Sequence, residues 1–246
     1  MAAAVVCAFA AMGAKESGIC IVPLLILAEW LGLPRHGALT LSPAPLPDGE
    51  QGFRSIASLG LRVARTSYLL VPLAAYLALR FYALGGTLHQ APAPTKTVNV
   101  LVDAPMWQHA LGVLQAWGMY WAKSFYPREL CIEYAINTVR LATSLWQFHV
   151  LLGLVWAVTL GFIAVWAWQR GRKELVFVVA ALVISYLPTS NAFVLIQVYF
   201  AERIWYLPSV FVAALVGMAA CHLMSRRMWR VVGILTLAVM TVRCWV

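Results

Sequence analysis

Charged residues are scarce in this sequence. Asp, Glu, Lys and Arg make up 11% of its 246 residues, against about a quarter in ordinary soluble domains. Acidic residues are the scarcest, with nine Asp and Glu against 18 Lys and Arg. Hydrophobic residues account for 63% and collect in long runs. This composition excludes a soluble globular domain and indicates an integral membrane protein in contact with the lipid bilayer.

The motifs of soluble nucleotide and metal chemistry are absent as well. The sequence has no HExxH, no CxxC pair, no P-loop and no GxGxxG. Its five cysteines are an odd number, and only Cys131 lies in a plainly polar stretch, so they offer neither a disulfide framework nor a zinc ligand set. We therefore expect no metal site and no cofactor held by this chain. The sequence leaves open whether a bound substrate requires a divalent metal.

The apolar runs predict an all-α fold, a polytopic bundle of transmembrane helices. Residues 1–33 are predicted to hold two helices, the first of them truncated at its start. Residues 34–66 form a basic, Pro-rich cytoplasmic linker, in which residues 53–65 fit a helix on the membrane surface. Residues 85–146 form an external loop containing an interfacial or re-entrant helix at 106–126. The predicted transmembrane helices are 67–84, 147–169, 175–190, 204–223 and 231–246.

The net charge of +9 is concentrated in short loops between the apolar runs, as in proteins oriented by the positive-inside rule. Nucleic acid is therefore not expected as a partner. The basic loops at 35–65, 170–173 and 226–230 are predicted to face the cytoplasm of an inner (plasma) membrane. Most other ionisable residues then gather on the external side, where the site is expected: Lys15, Glu16, Arg80, Asp103, Glu129, Glu133, Arg140, Glu202 and Arg203.

Residues 197–209 place a carboxylate beside a guanidinium at the start of an apolar run. As a helix, this stretch would carry Tyr199, Glu202, Arg203 and Tyr206 on one face. Arg is well suited to grip a phosphate through two parallel hydrogen bonds, which favours a site for a phosphate-bearing ligand at the membrane surface. The alternative is a local ion pair with aromatic neighbours at the headgroup level. Both interpretations stay open on this stretch alone.

Other polar groups have an equally simple structural interpretation. Residues 15–16 fit a solvated turn as well as a site. Residues 188–191 resemble a helix stop, and Glu133 with Asn137 resembles a polar surface one helical turn long. His149, inside an apolar run, is more often a hydrogen-bonded core residue than a ligand.

Six short motifs occur in a defined order over residues 15 to about 217. They are Lys15-Glu16-x-Gly18-Ile19, Arg80 followed by Gly85-Gly86, Asp103-x-Pro105, Pro127-x-x-Leu130-x-x-Glu133-Tyr134-x-x-Asn137, Leu187-Pro188-x-Ser190-Asn191, and Ala201-Glu202-Arg203-x-x-Tyr206-Leu207-Pro208-Ser209. This order resembles the membrane part of the TMTC-type transmembrane O-mannosyltransferases and their bacterial relatives, which carry tetratricopeptide repeats. The block at 201–209 is the most specific part of the resemblance.

The resemblance implies a GT-C-like fold and a glycosyltransferase that takes a sugar from a polyprenyl-phosphate carrier and passes it to an acceptor on the outer face. Three features depart from that family. The Asp pair of its first external loop and its repeat domain are both absent here, and Glu133 stands where an Asp precedes Tyr, with Ala135 after the Tyr. We expect a partial membrane domain, its later half, that partners a missing N-terminal half and a repeat domain and is inactive alone.

The resemblance also suggests roles for individual residues. Arg203 is expected to contact the lipid phosphate, with Glu202 orienting it. Further contacts are expected from Tyr206, from Lys15 and Arg80 as auxiliary positive charges, and from Glu16 and Glu133 as acceptor or structural contacts, while the general base is expected to lie outside this chain. Two rival interpretations are a non-catalytic membrane scaffold and a lipid-carrier transporter module. A transporter would hold its charges near the bilayer midplane. A structural anchor would pair Glu202 with Arg203.

Overall fold

The structure is a computed structural model that describes residues 20–33, 67, 70–71, 73–83, 94–126, 134, 139–223, 228, 231 and 233–234. Six helices lie in this part of the chain: α1 (Ile21–Leu31), α2 (Leu73–Ala83), α3 (Met106–Phe125), α4 (Phe148–Gln169), α5 (Lys173–Tyr186) and α6 (Tyr206–Leu223). Short 3-10 helices at Leu187–Thr189 and Glu202–Trp205 follow α5 and precede α6. The described residues contain no strand, so the predicted all-α class is confirmed for them.

In the described part of the chain, two helices are long and apolar enough to cross a membrane. These are α4, with 22 residues, and the 21-residue stretch Glu202–His222 that includes most of α6. At about 1.5 Å rise per residue, α4 is about 33 Å long, close to the thickness of the hydrocarbon core. Its exposed side chains are also apolar, among them Val158, Phe162 and Val165, as lipid contact requires. A multi-pass topology stays a prediction.

A tight turn joins α4 to α5. Gly171 adopts a left-handed conformation with φ +67°, which costs glycine little because it has no Cβ. The amide of Arg172 donates to Ala167 O at 2.9 Å, closing the end of α4 in the pattern of a Schellman cap. This turn makes α4 and α5 antiparallel neighbours, and α6 packs on α5.

The closest helix contact joins α3 to α4. Gly118 lies against Gly153, and three residues further along both helices Trp121 stacks on Trp156, so the two helices run parallel. A Cβ added at Gly153 would lie 2.1 Å from Leu114 O, and one added at Gly118 would lie 1.9 Å from His149 O. The two glycines are therefore needed for the backbones to touch.

The end of α3 lies beside the middle of α4. Its last residue, Phe125, stacks on Trp156 with ring centroids 5.7 Å apart, and Trp156 is about 12 Å along α4 from Phe148. Lengthwise packing on α4 argues against a helix lying flat on the outer surface. Of the two forms predicted for residues 106–126, the re-entrant one fits this packing, although a membrane position stays a prediction.

The chain returns along α3 before α4 begins. The buried amide of Gln115 donates to Arg140 O at 3.0 Å and accepts from the backbone N–H of Ala142 at 3.0 Å. Buried backbone groups need such partners because each unpaired one costs free energy. By returning in this way, the chain can start α4 in the same direction as α3.

A buried pair of asparagines ties the loops together at the other end of α3. Asn99 and Asn191 are 0% and 2% exposed, and Asn99 Nδ2 donates to Asn191 Oδ1 at 2.9 Å. Asn191 has φ 58°, and its own amide donates to Val198 O at 3.2 Å. Ser190 donates to Leu187 O at 2.8 Å. These contacts support the interpretation of residues 188–191 as a helix stop.

Candidate functional site

Three polar side chains meet where α3 ends and α6 begins. Lys123 Nζ donates to Tyr134 Oη at 2.7 Å, and that hydroxyl donates to Glu202 Oε1 at 2.7 Å. The ammonium is also 3.7 Å from the same carboxylate oxygen, and the Lys123 and Glu202 side chains are 22% and 21% exposed. Hydrogen bonds to charged groups are short and strong. We call Lys123, Tyr134 and Glu202 the polar cluster.

Neighbouring residues of α3 hold Glu202 in place. The hydroxyl of Tyr120 donates to Ala201 O at 3.1 Å and accepts from Ala201 N at 3.2 Å. One turn later, Ser124 donates to Tyr120 O at 2.9 Å and accepts from Trp205 Nε1 at 2.7 Å. The residues on both sides of Glu202 are thus fixed to α3. The position of the carboxylate beside Lys123 follows from these bonds.

Buried aromatic rings pack beneath the polar cluster. Tyr120 stacks on Trp205 with centroids 4.9 Å apart, and Phe200 lies 4.4 Å from Tyr120. Trp117 and Tyr186 complete this core, with ring centroids 4.6 Å apart. Such surroundings lower the local dielectric constant, which strengthens the interactions between polar groups in the cluster.

Arg203 and Tyr206 lie next to the cluster and are exposed. Arg203 is in the 3-10 helix directly after Glu202, and Tyr206, the first residue of α6, is 68% exposed. Their exposure makes both side chains accessible to a ligand. The carboxylate of Glu202 contacts Tyr134 and Lys123 among the described residues. The proposed orienting of Arg203 by Glu202 stays a prediction.

The predicted helical face over residues 197–209 is wrong. Residues 191–201 are not helical, and Tyr199 is buried with its hydroxyl donating to Gly112 O at 2.8 Å. Burial raises the pKa of Tyr199 above its ordinary value, so it stays a neutral donor. The cause is the turn at Asn191, which directs Tyr199 onto α3, while Arg203 and Tyr206 are exposed.

The described structure shows only one of the remaining predicted site residues. Arg80 lies on α2, where its Nη1 donates to Tyr76 Oη at 3.2 Å. Lys15, Glu16 and Glu133 lie outside the described residues. The predicted gathering of all these charges on one side of the membrane therefore stays a prediction.

Sequence reasoning missed Lys123, Tyr120 and Ser124. Lys123 follows a run rich in Trp and Tyr. Its spacing was informative, because on a helix it shares a face with Tyr120 three residues earlier. A cation on the last turn of an otherwise uncharged helix also interacts favourably with the helix dipole.

The polar cluster lies beside the middle of α4 rather than at either end of that helix. Lys123 and Glu202 are indeed at helix ends, but α3 ends beside Trp156, near the middle of α4. The structure thus combines a helix that stops part-way along α4 with a helix that starts close to that point.

An apolar groove begins at the end of α3 and runs between α4 and α6, with a volume of about 570 Å³. Its walls are Trp121, Phe125, Trp156, Leu160, Ile163, Trp166, Leu175, Val212, Leu215, Val216, Met218 and Ala219. Arg172, Glu174 and His222 line the far end, next to the turn between α4 and α5. We call this space the α4–α6 groove.

The coupling between Lys123 and Glu202 can be measured with a double-mutant cycle. Lys123→Met and Glu202→Gln are each expected to lower the free energy of unfolding by about 1 to 2 kcal/mol, because the pair is only partly exposed. The double variant should lose less free energy of unfolding than the two single losses added together. The difference should be at least about 0.5 kcal/mol. Lys173→Met, at an exposed residue outside the cluster, is the control. Additivity of Lys123→Met and Glu202→Gln would show that the pair is not coupled.

Comparisons of the chain with protein-family models, curated proteins and solved structures find no match. Within the described ranges, no three His, Cys, Asp or Glu side chains lie close enough to hold a metal ion.

Proposed function

We propose that this chain is the later membrane part of a GT-C-type glycosyltransferase that uses a polyprenyl-phosphate sugar as donor on the external side of the membrane. The observation that carries the proposal is the junction of α3 and α6. There the exposed Arg203 directly follows a carboxylate held by Lys123 and Tyr134. The motif order described from the sequence supports the same assignment.

The junction suits the phosphate of a lipid carrier. Arg203 supplies a guanidinium with paired donors, and it lies in the 3-10 helix that leads directly into α6. Tyr206 adds an exposed phenol. Because Lys123 is 3.7 Å from Glu202, the carboxylate is balanced by a cation and repels an incoming phosphate less than an isolated carboxylate would.

In the proposed reaction, the bond between the sugar's anomeric carbon and the lipid phosphate breaks as the acceptor hydroxyl attacks. Negative charge grows on the departing phosphate, and Arg203 and Lys123 stabilise it. A carboxylate outside this chain takes the hydroxyl proton. Sugar transfer then requires that carboxylate, whereas donor binding does not.

Donor binding is therefore the test of this proposal. Arg203→Ala is expected to weaken equilibrium binding of a long-chain polyprenyl phosphate by about 10- to 100-fold, since a hydrogen bond to a charged group contributes about 1.5 to 3 kcal/mol. Arg140→Ala, which removes an exposed arginine from the segment before α4, should leave the Kd within about twofold. A phosphate site at Arg203 would be ruled out if both variants weakened lipid binding equally, or if neither variant weakened it.

A lipid-carrier transporter module is the second candidate. The observation that favours it is the depth of the polar cluster, since Lys123 and Glu202 lie where α3 stops near the middle of α4. Charges at interrupted helices are typical of transporters. Movement of a fluorescent polyprenyl phosphate between the leaflets of proteoliposomes, catalysed by this chain and lost in Glu202→Gln, would favour the transporter over the glycosyltransferase.

A further inference from the structure

The far end of the α4–α6 groove is basic. The guanidinium carbons of Arg170 and Arg172 lie 5.6 Å and 5.3 Å from the centre of the Trp166 ring. Trp166 and Arg172 both line the groove. Stacking on an aromatic face holds a guanidinium by cation–π attraction and leaves its edge free to bind an anion. The turn therefore presents two arginines, oriented by one tryptophan, at the mouth of an apolar space.

The charges at this end favour an anion over a neutral group. Arg170, Arg172 and Lys173 are exposed and positive, while Glu174 is the one acid that lines the groove. Glu174 is in the first turn of α5, where the helix dipole stabilises a carboxylate. His222 completes the polar lining. A net positive charge remains at this end.

The occupant must also suit the apolar walls. The groove lies between α4 and α6, most of whose exposed side chains are apolar, so it would open toward lipid in a membrane. Basic pockets between transmembrane helices on the cytoplasmic side are typical binding sites for anionic lipid headgroups. None of Lys123, Glu202 and Arg203 lines this space, which separates it from the proposed donor site.

We propose that the α4–α6 groove binds one acyl chain of an anionic glycerophospholipid from the leaflet that faces the 170–173 turn. Arg172 and Arg170 contact the headgroup phosphate, and the acyl chain extends past Leu215 toward Trp121 at the end of α3. Such a lipid fills the space between α4 and α6 and is a structural partner of the fold. The assignment does not depend on the proposed glycosyltransferase function.

The test uses the full chain in lipid nanodiscs with phosphatidylglycerol that carries a photoreactive diazirine at the end of one acyl chain. After illumination, mass spectrometry of peptides locates the label. We expect labelling of groove residues such as Ile163, Leu215 and Ala219, at least about fivefold above labelling by phosphatidylcholine with the same chain, because each basic residue near the surface contributes about 1 kcal/mol toward an anionic lipid.

Two pairs of variants test the headgroup contact and the acyl-chain contact separately. Arg172→Gln should reduce groove labelling by about fivefold, while Lys173→Gln, which removes a charge that does not line the groove, should reduce it less. Ala219→Phe should block labelling by filling the groove, while Ala213→Phe, on another face of α6, should not. Excess inorganic phosphate should not displace the lipid, because the acyl chain supplies much of the binding.

Any of three results would overturn the proposal. The first is equal groove labelling by phosphatidylglycerol and phosphatidylcholine. The second is an equal effect of Arg172→Gln and Lys173→Gln. The third is a label confined to the exposed face of α4 at Val158, Phe162 and Val165, which any lipid in the surrounding bilayer would reach. The unsubstituted chain decides the first and third, so they do not depend on the folding of a variant.

Discussion

Replacing Gly153 by leucine is expected to separate α3 from α4 and lower the free energy of unfolding by about 4 kcal/mol or more. An added Cβ would lie 2.1 Å from Leu114 O and 3.1 Å from Gly118 N. Backbone atoms cannot move aside as a flexible side chain can, so one helix must shift. Losses of this size are exceptional and indicate a disrupted core contact. Thermal and denaturant unfolding in detergent would measure the loss.

Gly161 supplies the matched control on the same helix. A Cβ added there would meet nothing within 4 Å, and leucine is a better helix former than glycine by nearly 1 kcal/mol. Gly161→Leu should therefore leave the free energy of unfolding unchanged or slightly higher. If Gly153→Leu were as stable as Gly161→Leu, the close parallel contact of α3 and α4 would be wrong, and so would the position of the polar cluster.

Trp121→Ala is expected to lower the free energy of unfolding by about 3 to 5 kcal/mol, the range found when a large aromatic side chain is removed from a core. Trp121 is 2% exposed, and its ring stacks on Trp156 with centroids 3.8 Å apart. Among the residues that the structure describes, its buried Nε1 has no hydrogen-bond partner, so the expected loss comes from packing. The cavity left behind would join the α4–α6 groove, because Trp121 forms part of its wall.

Trp107→Ala is the control for this change. Trp107 lies on the first turn of α3 and is 55% exposed, so its removal should change the free energy of unfolding by about 0.5 kcal/mol or less. Equal losses from the two variants would show that the aromatic core beneath the polar cluster does not hold α3, α4 and α6 together.

The helices themselves follow closely from the sequence. The apolar run at 147–169 predicts the helix found at Phe148–Gln169, and that at 175–190 predicts Lys173–Tyr186 with the short turn that follows it. These predictions succeed because an uninterrupted apolar run must satisfy its backbone within one helix. The basic residues at 170–173 mark the turn between the two helices, since charged groups avoid hydrocarbon.

The route of the chain between helices could not be predicted in the same way. Asn99 and Asn191 are 92 residues apart, and neither carries a signal of its own that it is buried. Their pairing directs Tyr199 onto α3 and removes it from the predicted face with Arg203. The contact of Lys123 with Glu202 depends on the same packing, because the close approach of Gly118 to Gly153 decides where α3 ends.

Only some of the residues in and beside the polar cluster could therefore be predicted, and their role as a site stays a prediction. Glu202, Arg203 and Tyr206 were singled out because charged residues at the start of an apolar run are costly unless paired or used. Lys123 was not singled out, because its partner lies in another part of the chain. Arg80 was expected beside them and is described on α2 with Tyr76 as its neighbour.

The position of the polar cluster beside the middle of α4 has a consequence for both proposed functions. With α4 spanning the membrane as proposed, a lipid phosphate enters between helices to reach Arg203. Its attraction to the cations is then stronger than at an open surface, where water and salt screen charges. In this arrangement we expect donor binding at Arg203 to depend less on ionic strength than the binding of lipid headgroups at the 170–173 turn, which lies at the end of α4.

The central claim is that Arg203 and the adjoining polar cluster recognise the phosphate of a lipid carrier. Its most direct measurement compares the equilibrium binding of a polyprenyl phosphate with that of the uncharged polyprenol of the same length, for the unsubstituted chain and for Arg203→Gln. We predict that the unsubstituted chain prefers the phosphate by about tenfold or more and that Arg203→Gln loses this preference while still binding the polyprenol. Equal affinity of the unsubstituted chain for the two lipids, or the same preference in Arg203→Gln, would contradict the claim.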